Sequence, residues 1–100
     1  MTKPSVNYEQ GLAEALADSK ESAAYLNAAL EDGSQEIFLM ALRDVANARG
    51  ITNLAKETSL NRENLYRILS EQGNPQLSSL KSLLDALGLK LSVEPMQAVA

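Results

Sequence analysis

Asn61, Arg62, Glu63, Asn64 and Arg67 fall within the seven residues "NRENLYR". These are the side chains that recognise base edges. Arginine bridges the two acceptors of guanine, asparagine pairs with the donor and acceptor of adenine, and glutamate accepts from the amino group of cytosine. If Leu65, Ile68 and Leu69 point inward, the helical repeat of about 100° per residue turns Glu63, Tyr66, Arg67 and Ser70 outward. Asn61, Arg62 and Asn64 then crowd the first turn, the part of a recognition helix that leads into the major groove. Thr52, Lys56, Tyr66 and Asn74 are candidate phosphate contacts around it, with Tyr66 equally suited to packing. Any one of these residues alone reads as a solvated helix face; their number around one motif points to double-stranded DNA.

Other chemistry is poorly supplied. The chain of 100 residues has no Cys and no His. It therefore lacks a thiol nucleophile, a disulfide framework and the commonest general base and metal ligand. No Gly-rich phosphate loop or metal-spaced cluster is present, and its carboxylates are scattered along amphipathic faces. The sequence predicts no catalytic residues, no metal, no cofactor and no enzyme. Its apolar runs are shorter than the roughly 18 residues of a membrane span, and "MTKPSVNYEQ" lacks the apolar stretch of a signal peptide, so a cytoplasmic setting is expected.

A readout helix needs a rigid support, and the composition is that of a helical chain. Short helices are predicted over 8–18 and 19–33, with Asp18 or Ser19 capping the second and Gly33 ending it. A longer one follows over 34–50, with Ser34 as N-cap and Gly50 as stop. Phe38, Ala41, Leu42, Val45 and Arg49 share its face, and Ile37, Met40 and Ala48 widen the apolar side. Two short helices come next, roughly 52–58 and 61–71, joined at Ser59 and Leu60. A steep crossing of such a pair needs small residues at the contact and apolar plugs around them. Leu54, Ala55, Ser59, Leu60, Leu65 and Ile68 fit those places as a helix-turn-helix core. A last helix is expected over 74–88, with Asn74 as N-cap, Pro75 at the first helical position and a buried stripe of Leu77, Leu80, Leu84 and Leu87. Leu89, Leu91 and Val93 then alternate with polar residues, as in a short strand or an extended tail.

The charge is uneven. The net charge is −4, but residues 1–36 hold two basic and seven acidic side chains, and the rest seven and six. The two parts therefore suit different partners.

"LAKETSLNRENLYRILSEQGNPQLSSLKSLLDALGLKL" (54–91) resembles the antidote proteins of bacterial addiction modules, a HigA-like family with a phage-repressor-like (Xre-type) helix-turn-helix. The R-E-N-L-Y run at 62–66, G-N-P at 73–75 and A-L-G-L at 86–89 carry the match. "AAYLNAALEDG" (23–33) and "FLMALRDVANARGIT" (38–52) extend it upstream. The resemblance implies an all-α fold of five helices or so. A lambda-repressor-like helix-turn-helix domain would occupy 34–94, an acidic helical extension 1–33, and a tail 95–100. It also implies an antitoxin that represses its own operon as a homodimer on operator DNA and neutralises an adjacent RelE-superfamily, mRNA-cleaving toxin. Many relatives carry Gly where this chain has Ser59; Ser at positive φ is strained, so a slightly different turn is expected there. A stand-alone prophage-type repressor, or a helical adaptor binding only protein, are the competing readings.

Overall fold

The described residues form six helices: α1 (Pro4–Leu16), α2 (Ser19–Asp32), α3 (Gln35–Arg49), α4 (Ile51–Glu57), α5 (Arg62–Ile68) and α6 (Leu77–Ala86). The computed structural model describes residues 4–97, and among them no strand occurs. The local signals set most boundaries. Asp18 accepts from the Lys20 N–H and caps α2, and Ser34 accepts from the Ile37 N–H and caps α3. Gly50 joins α3 to α4 at φ 102°, a backbone state that a side chain would strain. α1 runs straight through Gly11, whose site is open on all sides.

One buried cluster holds the helices together. Leu16 of α1, Leu26 and Ala29 of α2, Leu42, Val45 and Ala46 of α3, Leu54 of α4, Leu65 of α5 and Leu83 and Leu87 around α6 all belong to it. Leu42, Leu54, Leu65 and Leu83 are fully buried. α3 is the central rod, touching α1, α2 and α4. Polar ties finish the joints. Ser22 Oγ donates to the Leu16 carbonyl at 2.7 Å in the interior. Arg49 donates from both terminal nitrogens to the Ala86 and Leu87 carbonyls, at 3.2 Å each, where the exposed C-terminal carbonyls of α6 favour a cation.

Several expectations are corrected. Met40 is 47% exposed and Ile37 also faces outward, so neither widens the core. Leu39 and Ala46 are buried instead. α6 starts at Leu77 behind Gln76, not at Asn74 and Pro75. The chain reverses so tightly after α5 that a Cβ at Gly73 would lie 2.2 Å from the Ile68 carbonyl oxygen. Residues 74–76 are spent on leaving that contact. Leu77 consequently stands at the outer end of the helix, 65% exposed, and Leu83 joins Leu84 and Leu87 inside. α5 ends at Ile68, three residues early, with Ser70 Oγ donating to the Arg67 carbonyl. The C-terminal strand is absent: residues 89–97 run without helix or strand, since a lone strand has no neighbour to complete its hydrogen bonds. The expected tail at 95–100 lies partly outside the described residues.

Candidate nucleic-acid interface

α4 and α5 are joined by four residues, 58–61, and Thr58 builds the joint. Its hydroxyl donates to the Leu54 carbonyl at 2.8 Å and accepts from the Leu60 N–H at 3.1 Å. One side chain thus closes α4 and turns the chain toward α5. Ser59 stands exposed at the tip with an ordinary backbone: among the described residues no non-glycine residue has positive φ, so the turn avoids the strain that Ser would suffer there. Helical spacing does not mark Thr58. Its signal was a hydroxyl residue that can bond its own neighbouring backbone at a helix end.

Asn61 then caps α5. Its Oδ1 accepts from the Asn64 N–H at 2.7 Å. Behind the helix, Leu65 is fully buried and Leu69 nearly so, with Ile68 half-buried, while Leu54 is buried and Ala55 and Leu60 pack partly buried against the same core. In front, Arg62, Glu63, Tyr66 and Arg67 are exposed together with Asn61. Asn64 is half-buried. Thr52 and Lys56 are exposed on α4, and Asn74 is exposed in the loop before α6, where it caps nothing.

Several of these side chains are already held. The Arg67 guanidinium donates to Asn64 Oδ1. The Arg62 guanidinium lies 6.0 Å from the centre of the Tyr66 ring, the outer limit of a cation–π contact. These contacts reduce the rotamer freedom that long cations lose on binding. They also restrict the asparagines. The two-point pairing with adenine needs the amide oxygen and nitrogen together. Asn61 commits its oxygen to the cap and Asn64 commits its own to Arg67, so each offers outward only its amino group in this arrangement. Arg62 and Arg67 are the groups best placed for two-point contacts with guanine.

The surrounding charge is balanced. Residues 51–72 carry three basic and three acidic side chains. Such a surface does not hold a polyanion by charge alone; it must rely on matched hydrogen bonds. Among the described residues no group of acidic side chains can hold a metal ion, and no helix is long and apolar enough to cross a membrane.

A family model described as a probable addiction module antidote protein matches residues 7–95. A protein of Haemophilus influenzae described as uncharacterized is 36% identical over 83 residues, which cover 83% of this chain and 86% of the relative. No solved structure matches.

Proposed function

This chain belongs to the addiction-module antidote family, a family of antidotes and not of enzymes, and from that premise we propose that it is a sequence-specific DNA-binding antitoxin. In this reading α4 and α5 form a helix-turn-helix, and α5 enters the major groove of the operator of its own toxin–antitoxin operon. Arg62 and Arg67 contact guanine, Glu63 accepts from cytosine, and Asn61 and Asn64 donate to acceptors on bases. Thr52, Lys56, Tyr66 and Asn74 hold phosphates. A cytoplasmic homodimer sets two such helices on half-sites about one turn of DNA apart.

The observation that carries the reading is the contrast between the two sides of α5. Leu65 and Leu69 are buried behind it, while Arg62, Glu63, Tyr66 and Arg67 stand together in solvent. A helix that served packing alone has no need of this collection. The experiment is a gel shift of the full chain on the DNA upstream of its gene, with unrelated DNA of equal length as the control. Selective retardation supports the proposal; equal retardation of both, or none, overturns it.

The acidic extension at 1–33 is assigned to the antidote role. Glu14, Asp18, Glu21, Glu31 and Asp32 are all exposed there. They complement the basic surface that an mRNA-cleaving, RelE-superfamily toxin uses for RNA. Removing this segment is a poor test, because Leu16, Leu26 and Ala29 belong to the shared core. Changing Glu14, Glu21 and Glu31 to Gln leaves the core intact. It should slow association with the neighbouring gene product, and an unchanged rate would reject the assignment. The balanced charge around α5 favours one alternative, a helical adaptor that binds only protein, and the same gel shift separates the two.

A further inference from the structure

We propose that residues 90–94 form a seam through which two copies of this chain pair as antiparallel strands, with the two-fold axis at Ser92. This deepens the reading above, which requires a dimer but does not say which surface makes it.

The seam has defined ends. The last backbone hydrogen bond before it is from the Leu89 N–H to the Leu84 carbonyl, at 2.8 Å, so the donor of Leu89 is spent. Pro95 has no N–H to give and ends any ladder on the other side. Among the described residues, no backbone hydrogen bond joins residues 90–94 to the rest of the fold. Five consecutive residues therefore present unpaired backbone groups to solvent. Folded proteins ordinarily blunt or cover such an edge. Here Leu91 is 44% exposed and Val93 97% exposed, on a segment that alternates apolar and polar.

The sequence "KLSVE" is complementary to itself in one register. With Ser92 opposite the partner's Ser92, Leu91 lies opposite the partner's Val93 and Lys90 opposite the partner's Glu94. The two-fold repeats each pair, giving two apolar contacts on one face and two opposite-charge contacts on the other. A slip of one residue sets apolar side chains against polar ones. A slip of two separates Lys90 from the partner's Glu94. Charge complementarity thus selects the second copy as occupant and fixes the register.

The segment also borders an existing groove. Leu30, Phe38, Leu84, Leu89 and Leu91 line a 170 Å³ depression between α2, α3, α6 and the tail, with Lys90, Ser92 and Glu94 of the seam, but not Val93, also on its wall. A partner strand paired along residues 90–94 runs beside it. That added contact is needed, because five paired residues alone bury less than the roughly 1,000 Å² expected of a specific interface.

The test uses the full chain without DNA, so that failure of the pairing and failure of operator binding are seen separately. Sedimentation equilibrium should show a dimer. Lys90→Glu sets glutamates at 90 and 94 against each other, and Glu94→Lys does the same with lysines. Each variant alone should dimerise on the order of tenfold more weakly or worse, since cross-strand charges attract or repel at this distance. Mixed in equal amounts, the two variants should pair with each other at close to the parent affinity, because each heterodimer restores both charge contacts. The chain has no native cysteine, so Ser92→Cys should also cross-link under mild oxidation while the exposed control Ser78→Cys does not. A monomeric parent, single variants that dimerise like the parent, a mixture no tighter than its components, or equal cross-linking of the two cysteine variants would each overturn the proposal.

Discussion

The Arg43 side chain of α3 donates through Nε to the backbone carbonyl of Leu69, one residue past the end of α5. It is a polar link between the central rod of the fold and the end of the helix assigned to DNA. The last carbonyls of a helix lack partners within it, and a cation there satisfies them and suits the helix dipole. Arg43 thus secures one end of α5 while Asn61 caps the other.

Arg43→Met keeps a similar length of apolar stem and removes the donor. The expected loss is about 1–3 kcal/mol, as for a hydrogen bond from a charged group, read from the midpoint of urea unfolding. DNA affinity should weaken by the same factor for operator and single-base variants, because the pose of α5 changes and not its reading groups. Lost selectivity at one base pair would instead place Arg43 at the DNA.

Arg62→Ala and Arg67→Ala should each weaken operator binding by roughly 1–3 kcal/mol and relax preference at a single base pair. Lys56→Ala should act differently, lowering the slope of log affinity against log salt by about one while leaving the preferences alone. Binding titrations at several salt concentrations distinguish them. If both arginine variants weaken every sequence equally, those side chains touch only the backbone.

Tyr25 OH donates to Asp44 Oδ2 at 2.6 Å, joining α2 to α3. That hydrogen bond, then burial, then the charge of Asp44 hold the phenol up at about 12, against 10.0 unperturbed. The folded chain therefore keeps this proton at pH values where the unfolded chain has lost it. The associated stability is fully present below about pH 10 and declines as pH rises toward 12. Tyr25→Phe should cost about 1 kcal/mol at neutral pH and flatten this part of the alkaline stability profile. An unchanged profile would show that another group governs it.

Two glycines give opposite forecasts. A methyl group at Gly11 meets nothing within 4 Å, so Gly11→Ala should raise stability by up to about 1 kcal/mol through helix propensity. A methyl group at Gly73 would lie 2.2 Å from a backbone oxygen that cannot swing aside. Gly73→Ala should cost roughly 3 kcal/mol and disturb the end of α5. Thermal melts of the two variants check both signs.

How much of this was legible beforehand depended on what each residue's role required. Asp18, Ser34, Asn61 and the glycines at 33 and 50 act on backbone within a few residues of themselves, so their signals could be read directly. The inward positions of α5 followed from helical spacing. Leu77 and Met40 misled because spacing defines a stripe but not where the neighbouring helices stop. Arg43 and Arg49 reach carbonyls 26 and 37 or more residues away, and nothing local marks them. The alternation at 89–93 was visible, but whether it becomes a strand depends on a neighbour that a single chain does not supply. The exposed cluster on α5 was visible by type; the oxygen commitments of Asn61 and Asn64 were visible only once the side chains were placed.

Whether the solvent face of α5 reads operator DNA is decided by hydroxyl-radical footprinting with guanine-methylation interference on the upstream region. Base reading by α5 should give a protected site with two half-sites about one helical turn apart, guanine methylation blocking binding within each, and loss of one such interference signal per half-site in Arg67→Ala. Protection that is uniform along the DNA, or interference unaltered by changes at both Arg62 and Arg67, would contradict it.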